Sequence, residues 1–536
     1  MNDVIVVGGG VNGLVTATLL AKAGRKTLVL ERGDRVGGCA RTGEIAPGFR
    51  CPTLAHAAAI DPSLMRSLGL VQHGLRIVRS AADACAPTRD GRTLVLWHDA
   101  ARASEAIRAF SAKDAVQYPR FLNSFARMTA VLRAVCASEP PSIDDPTALD
   151  LLRLLKTARK FRALGKADAY RLLRWMPMAV ADLAGEWCES EPLRATIAAG
   201  GLLGSFLGPW SAGSAAVLLL LGAEEGHPVA NGWFVAGGPG ALADALAAAA
   251  RQAGVEIRTG ADVALINIRD EDAQGTAGGV TLSSGEEIAA RAVVSNADPK
   301  RTLLGLLDPI HLSPELVRRA RNIRTHGTLA KINYASSSLP QFKGLSGLGA
   351  SEQAAALSGR IRLAASIDGI ERAFDAAKYG GFADEPWIEL TIPSIADPGL
   401  APQGRHVVST YVQYAPYHLR GTNWDAEGDR LAEAATRTIE QYAPGFAASV
   451  LAREVITPLD LERTYGLTGG HVFHGELALD QWFVTRPLLG WARYRTPIRN
   501  LYLCGSGTHP GTGLSGRSGA LAAGAIIKAI KGRWVR

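Results

Sequence analysis

The sequence predicts an α/β chain with a parallel, helix-covered sheet at its N-terminus, and three observations carry that expectation. Val4-Ile-Val-Val7 is a short unbroken apolar run of the kind that fills a buried parallel strand. Gly8-Gly-Gly10-Val-Asn-Gly13 follows at once and leads directly into a helical run, Leu14 to Ala23. A second apolar run, Lys26-Thr-Leu-Val-Leu30, then ends in Glu31, eighteen residues after Gly13.

Each element has a chemical reason. In G-x-G-x-x-G, Gly8 permits the tight turn, Gly10 lets a pyrophosphate approach the backbone, and Gly13 allows close helix packing. The helix N-terminus then offers unpaired N–H groups and a positive dipole end to the anion. A carboxylate at Glu31 suits the adenosine ribose hydroxyls. Strand, glycines, helix, strand and acid in this order describe a Rossmann-type nucleotide site.

At 536 residues, two or more domains are expected. With 47% hydrophobic and 20% charged residues the composition is globular. No apolar run is long enough to span a bilayer. The chain enters its first strand immediately, so no leader is expected and a cytoplasmic location follows. None of the six cysteines forms C-x-x-C, and the 11 histidines make no zinc pattern. The cysteines read as buried small residues and no metal site is expected. The +8 net charge is concentrated between Leu151 and Met176, where eight basic residues face Asp168 alone. The rest is nearly balanced, which gives no nucleic-acid footprint.

Beyond Glu31, the run Glu31-Arg-Gly-Asp-Arg-Val-Gly37-Gly38-Cys39-Ala-Arg41-Thr42 resembles the double-glycine signature of the amine oxidase and phytoene desaturase flavoproteins. That resemblance implies FAD rather than NAD. It also implies two later returns to the same domain, and both are legible. One runs from Gly237-Gly-Pro-Gly240 through an Ala-rich helix to Val263, then through a hairpin-like Gly279 to Ile288, to Ala292-Val-Val-Ser-Asn-Ala-Asp-Pro299. The other is Asn500-Leu-Tyr-Leu-Cys504, the loop Gly505-Ser-Gly507-Thr-His-Pro-Gly511-Thr-Gly-Leu514-Ser515-Gly516, and a helix from Ser518 to Ile530. Gly237 to Gly240 is no second G-x-G-x-x-G, so a separate NAD(P) domain is not expected. The expected fold is a discontinuous FAD-binding domain (1–73, 234–300, 492–536) with an α+β substrate domain (74–233, 301–491), a mixed sheet and helices. The first substrate segment reads as mostly helical. The second alternates strands (Thr328 to Tyr334, Trp387 to Ile392, His406 to Gln413) with a helix, Asp429 to Tyr442. Fingerprint and resemblance together assign FAD contacts to Gly8, Gly10, Gly13, Glu31, Arg32, Gly37, Gly38, Arg41, Thr42, Val263, Gly505, Ser506, Leu514 and Ser515.

Val412-Gln-Tyr-Ala-Pro416, Thr457-Pro-Leu-Asp-Leu-Glu462 and His471-Val-Phe-His-Gly-Glu476 resemble the phytoene dehydrogenase-like group, closest to the pyridine nucleotide-disulfide oxidoreductase domain-containing protein 2 subgroup. No redox C-x-x-x-x-C accompanies the name. The resemblance implies oxidation of a hydrophobic, isoprenoid- or carotenoid-like substrate by hydride transfer to flavin N5. An amine oxidase, a redox-neutral FAD isomerase and a flavoprotein with mainly a partner-binding role are the alternatives. Cys39 replaces an arginine common in amine oxidases, and Leu514 stands where a cage tyrosine is expected.

Lys331, a cation within an apolar strand, is costly unless paired or functional, and resembles the amine-oxidase lysine that holds a water near flavin N5. His56 follows a segment that in relatives passes under the flavin face, where an imidazole can move a proton. His474 aligns with an active-site aromatic of amine oxidases. His509 lies in the flavin loop and is expected to position the cofactor. The basic segment 151–176 interleaves leucines with its cations. It reads as a domain-covering amphipathic helix, with a peripheral membrane contact as the alternative.

Overall fold

The structure, a computed structural model, describes residues 1–224, 226–229, 233–269, 275–364 and 366–531. The ends and middles of the expected segments at 225, 230–232, 270–274, 365 and 532–536 lie outside the described residues.

Among the described residues, fourteen strands build the two main sheets. The first eight are β1 (Asn2–Val7), β2 (Thr27–Leu30), β3 (Ala82–Pro87), β4 (Thr93–Trp97), β5 (Glu256–Arg258), β6 (Val263–Arg269), β7 (Thr276–Leu282) and β8 (Glu287–Ser295). The rest are β9 (Leu329–Ser336), β10 (Arg360–Leu363), β11 (Trp387–Thr391), β12 (His406–Gln413), β13 (Val450–Ile456) and β14 (Leu501–Leu503). The helices that position the site are α1 (Val11–Lys22), α2 (Ala112–Cys136), α3 (Ala148–Ala163), α4 (Gly165–Trp175), α5 (Glu191–Ala199), α6 (Pro239–Gln252), α7 (Trp424–Tyr442) and α8 (Arg517–Lys531).

The first sheet runs β6-β7-β8-β1-β2-β5, with β14 also paired to β8. Its centre is parallel: β1 pairs β2 and β8, β2 pairs β5, and β8 pairs β14. The β6–β7–β8 edge is antiparallel. Strand periodicity places the two faces. Val4 and Val6 pack with Ala17 and Leu20 of α1 and Ala522 and Ile526 of α8, while Ile5 and Val7 pack with Leu28, Ile266 and Val293 on the other side.

The second sheet is mixed, in order β13-β9-β12-β11-β10-β3-β4, antiparallel except where β10 runs parallel to β3. All eight residues of β9 are buried, so its alternation separates two interiors. Ala330, Ile332 and Tyr334 pack with Leu431, Ala435 and Ile439 of α7. Lys331 and Asn333 point to the opposite face, toward the first sheet's loops.

Two expectations change. The 74–233 segment is helical from Ala100 onward, yet it first supplies β3 and β4 to the second sheet. The run Ala82-Asp-Ala-Cys-Ala-Pro87 lacks β-branched and aromatic residues, and pairing with β4 and β10 decides its conformation rather than propensity. The 151–176 helix is two helices, broken at Leu164 and Gly165, where Gly165 takes φ +77°. No helix among the described residues is long and apolar enough to cross a membrane.

Candidate functional site

A cavity of about 500 Å³ lies between the loops of the first sheet and the polar face of the second. Its volume is in the range of cofactor and ligand sites.

At the nucleotide end, the wall is made by Gly8, Gly10, Glu31, Arg32, Gly37, Gly38, Arg41 and Val263. Gly10 caps α1 without any side-chain hydrogen bond, so the first amides of that helix are available to an anion. Glu31 is fixed by two amides: Gly9 N–H donates to Oε2 at 2.8 Å and Gly33 N–H to Oε1 at 2.9 Å. Each oxygen keeps a lone pair for a ribose hydroxyl. Gly37, at φ +127°, carries the chain past helix α6, and a Cβ there would lie 2.5 Å from the Ala40 carbonyl. Arg41 gives Nη2 to the Arg35 carbonyl at 2.7 Å, while its buried Nε has no partner. An orphaned guanidinium donor beside a glycine cradle suits a pyrophosphate.

Four residues expected at the cofactor stand behind the wall instead. Gly13 sits against the turn, where a Cβ would be 2.2 Å from the Gly8 carbonyl. The Thr42 hydroxyl donates to the Gly237 carbonyl at 2.9 Å and accepts from Gly240 N–H at 3.1 Å, pinning the start of α6. Gly505 packs on the Asn296 carbonyl, and the Ser515 carbonyl accepts from Asp61 N–H. They shape the cradle by packing rather than by lining it.

The C-terminal loop contributes Ser506, Thr512, Gly513 and Leu514 to the wall. Ser506 accepts from Asn12 Nδ2 at 3.2 Å, tying the loop to α1. Arg486 is fully buried and donates to the carbonyls of Phe473, Gly475, Glu476, Gln481 and Ser506. Burial draws its pKa down to about 9, and those five acceptors favour the protonated form. His474 reaches the wall from the segment that Arg486 holds, in a left-handed conformation at φ +58°. Its Nδ1 is buried without a partner, and burial lowers its pKa. His509 is off the wall: its Nε2 meets the Val135 carbonyl of α2 at 3.2 Å. It anchors the loop to a helix.

Strand register then lays a polar row across the second sheet. Lys331 on β9 faces Tyr411 on β12, Tyr411 faces Glu389 on β11, and Glu389 faces Arg362 on β10. All four line the cavity, together with Arg360 and His56. The Lys331 ammonium donates to Ser409 Oγ at 2.7 Å, the Leu54 carbonyl at 3.1 Å and the Pro52 carbonyl at 3.3 Å. It also lies 4.7 Å from the Tyr411 ring centroid. Burial lowers its pKa to about 7, against the opposing pull of Cys51, Glu454 and Glu389. His56 stacks on Tyr411, and neither ring nitrogen has a hydrogen-bond partner. Burial, then the charges of Lys331 and Arg360, holds it neutral.

The expectations therefore meet at one cavity for His56, Lys331, His474 and ten of the cofactor residues. Sequence reasoning missed Arg360, Arg362, Glu389 and Tyr411. The signal that singled out Lys331, a charge inside an apolar strand, is also present in Arg360-Ile-Arg-Leu363 and Trp387-Ile-Glu-Leu-Thr391. All six cysteines are free, five buried and Cys39 half-buried at the wall. Burial raises the Cys39 thiol to about 11. Among the described residues no cluster of three or more His, Cys, Asp or Glu is placed to hold a metal.

Residues 6–68 match the family of NAD(P)-binding Rossmann-like domains, and residues 117–527 match that of flavin containing amine oxidoreductases. The chain is 37% identical to the pyridine nucleotide-disulfide oxidoreductase domain-containing protein 2 of Rattus norvegicus, over 99% of this chain and 94% of that protein. It is 27% identical to the phytoene desaturase (lycopene-forming) of Pantoea ananas, over 97% of each chain. A putrescine oxidase variant with redesigned cofactor binding shares the fold at a TM-score of 0.61, 16% identity and 99% coverage of both chains. With the cradle, the orphaned Arg41 donor and the family match over most of its length, the chain belongs to the flavin containing amine oxidoreductases and is an FAD-dependent oxidoreductase.

Proposed function

We propose that the protein oxidises a hydrophobic, isoprenoid-like substrate by carbon–carbon desaturation. FAD, when bound, supplies the two-electron acceptor for a hydride at N5. The chain's residues orient the two reactants, keep water out and place charge. Ala199, Gly200, Leu203, Leu221, Val472 and Phe473 give the substrate side an apolar wall. Gly8, Gly10, Gly38, Arg41 and Val263 are assigned to hold the cofactor, with Leu514 at the edge of its ring.

The observation that carries this reading against amine oxidation is the charge of the polar row. Lys331, Arg360 and Arg362 face the cavity with Glu389 as the acid beside them, an unfavourable setting for an ammonium group. The wall at position 514 is leucine, consistent with the same reading. Lys331 is assigned to stabilise negative charge as the hydride arrives, and the neutral imidazole of His56 to orient the substrate or accept its proton.

A basic, leucine-rich surface supports a peripheral contact with an anionic bilayer. Leu149, Leu151, Leu152, Leu154 and Leu155 of α3 and Leu173 of α4 are exposed beside Lys156, Arg159, Lys160 and Lys166. Apolar substrate would enter from that side. Anaerobic mixing of the FAD-loaded protein with a panel of long-chain isoprenoid compounds and matched alkyl amines tests the reaction. Bleaching of the flavin by the isoprenoid compounds alone supports desaturation. Bleaching by the amines alone overturns it, and product without net bleaching indicates isomerisation.

A further inference from the structure

The two arginines of β10 sit in the same cavity but in different states. Both project from one face of the strand, being two residues apart. The Arg362 side chain, 1% exposed, is fully engaged. Its Nε donates to Glu389 Oε2 at 2.8 Å, Nη1 to the Thr196 carbonyl at 2.6 Å and Nη2 to the Val229 carbonyl at 3.4 Å. The Arg360 side chain is 8% exposed, and its only ion-pair contact among the described residues is Nε to Glu389 Oε1 at 3.5 Å. No described residue accepts a hydrogen bond from its Nη1 or Nη2.

Glu389 is shared. One oxygen serves Arg362, and the other stands 3.5 Å from Arg360 and 4.0 Å from His56 Nδ1. One acid between two guanidiniums leaves one positive charge without a counter-charge. A guanidinium nine-tenths buried with two donor groups facing a cavity is stabilised most by a planar anion that takes both at once. The excess of one charge matches a monoanion. Helix α5, whose Thr196 carbonyl accepts from Arg362, ends at Ala199 and Gly200 on the cavity wall.

We infer that Arg360 forms a carboxylate-binding subsite and that the substrate is an amphipathic acid, its carboxylate on Arg360 and its apolar chain along the α5 wall. This rests on the proposed oxidation of an apolar substrate and adds the polar group that fixes its register. Neutral His56, stacked on Tyr411, keeps its Nδ1 4.0 Å from the Glu389 oxygen that faces Arg360, beside the anchored head.

The test is equilibrium titration of the oxidised, FAD-loaded protein with octanoate, octanol, octylamine and octyl phosphate, followed by flavin absorbance and by calorimetry. Octanoate is expected to bind about tenfold or more tightly than octanol and octylamine. Arg360→Gln is expected to remove that preference while leaving octanol affinity within about twofold, and Arg360→Lys to restore part of it. Equal binding of acid and alcohol, preference for the amine or the phosphate, or an unchanged preference in R360Q overturns the subsite. If R360Q loses FAD, the wild-type ranking of the four probes decides alone. Because no turnover is read, failure of flavin reduction with every isoprenoid compound would refute the desaturation proposal without altering this result.

Discussion

His56 lies against Tyr411 with ring centroids 3.7 Å apart and 23° between the planes, and its backbone N–H donates to the Tyr411 hydroxyl at 3.1 Å. The stack joins the loop that carries His56 to Tyr411 at the centre of the second sheet.

Substitution at Tyr411 separates the two contacts. Tyr411→Phe keeps the ring and removes one hydrogen bond, so a loss of about 1 kcal/mol in denaturant unfolding is expected. Tyr411→Ala also removes the stack and opens a cavity, for a loss of about 3–5 kcal/mol. Equal losses for the two variants would show that the ring does not brace His56.

Arg41 is expected to act on cofactor affinity. Its buried Nε has no protein partner and its guanidinium lines the nucleotide end of the cavity. Arg41→Met should weaken FAD binding by about tenfold to a hundredfold, read by titrating flavin into the apoprotein. Unchanged affinity would place the pyrophosphate elsewhere.

The pH dependence of flavin reduction should report Lys331. With its pKa lowered to about 7, the ammonium is present below that value and favours arrival of negative charge. The rate is therefore expected to fall as pH rises through about 7. Lys331→Met should be slower and lack the inflection. His56, held well below 6.5, is neutral throughout, so His56→Gln should keep it. For stability the sign is reversed: between about 7 and 10.5 the unfolded lysine binds more protons than the folded one, so stability rises with pH. Comparison of Tm against pH for wild type and K331M isolates that contribution.

The α3 surface should govern vesicle binding. Leu151→Glu with Leu155→Glu removes two exposed leucines and adds charge opposed to an anionic lipid. Co-sedimentation with phosphatidylglycerol vesicles is expected to fall about tenfold or more, with Tm unchanged. Wild-type binding should also weaken with added salt. Loss of binding with phosphatidylcholine only, or none in the double variant, would contradict a charge-guided contact.

The cofactor end was legible because its chemistry is local. Gly8, Gly10 and Glu31 lie within or at the end of one strand–turn–helix–strand unit, and that unit brings them together. Lys331 stood out because a cation in an apolar strand is expensive. Arg360 and Glu389 carried the same signal, but only the register of β9, β12, β11 and β10 makes one row of them. That pairing spans residues 331 to 411 and is not encoded in any short window. Arg486 was hidden for another reason: its partners are five carbonyls, which every residue possesses. His509 shows the converse. A loop position next to the cofactor does not say which way a ring points, and here it points to α2.

The most direct test of the central claim is anaerobic stopped-flow mixing of the FAD-loaded protein with the small molecule that co-purifies with it, identified by mass spectrometry. The expected result is bleaching of the flavin absorbance, a product two hydrogens poorer with a new carbon–carbon double bond, and a slower rate when deuterium replaces hydrogen at the oxidised carbon. Product formation with the flavin left oxidised, or bleaching that accompanies loss of an amine, would contradict it.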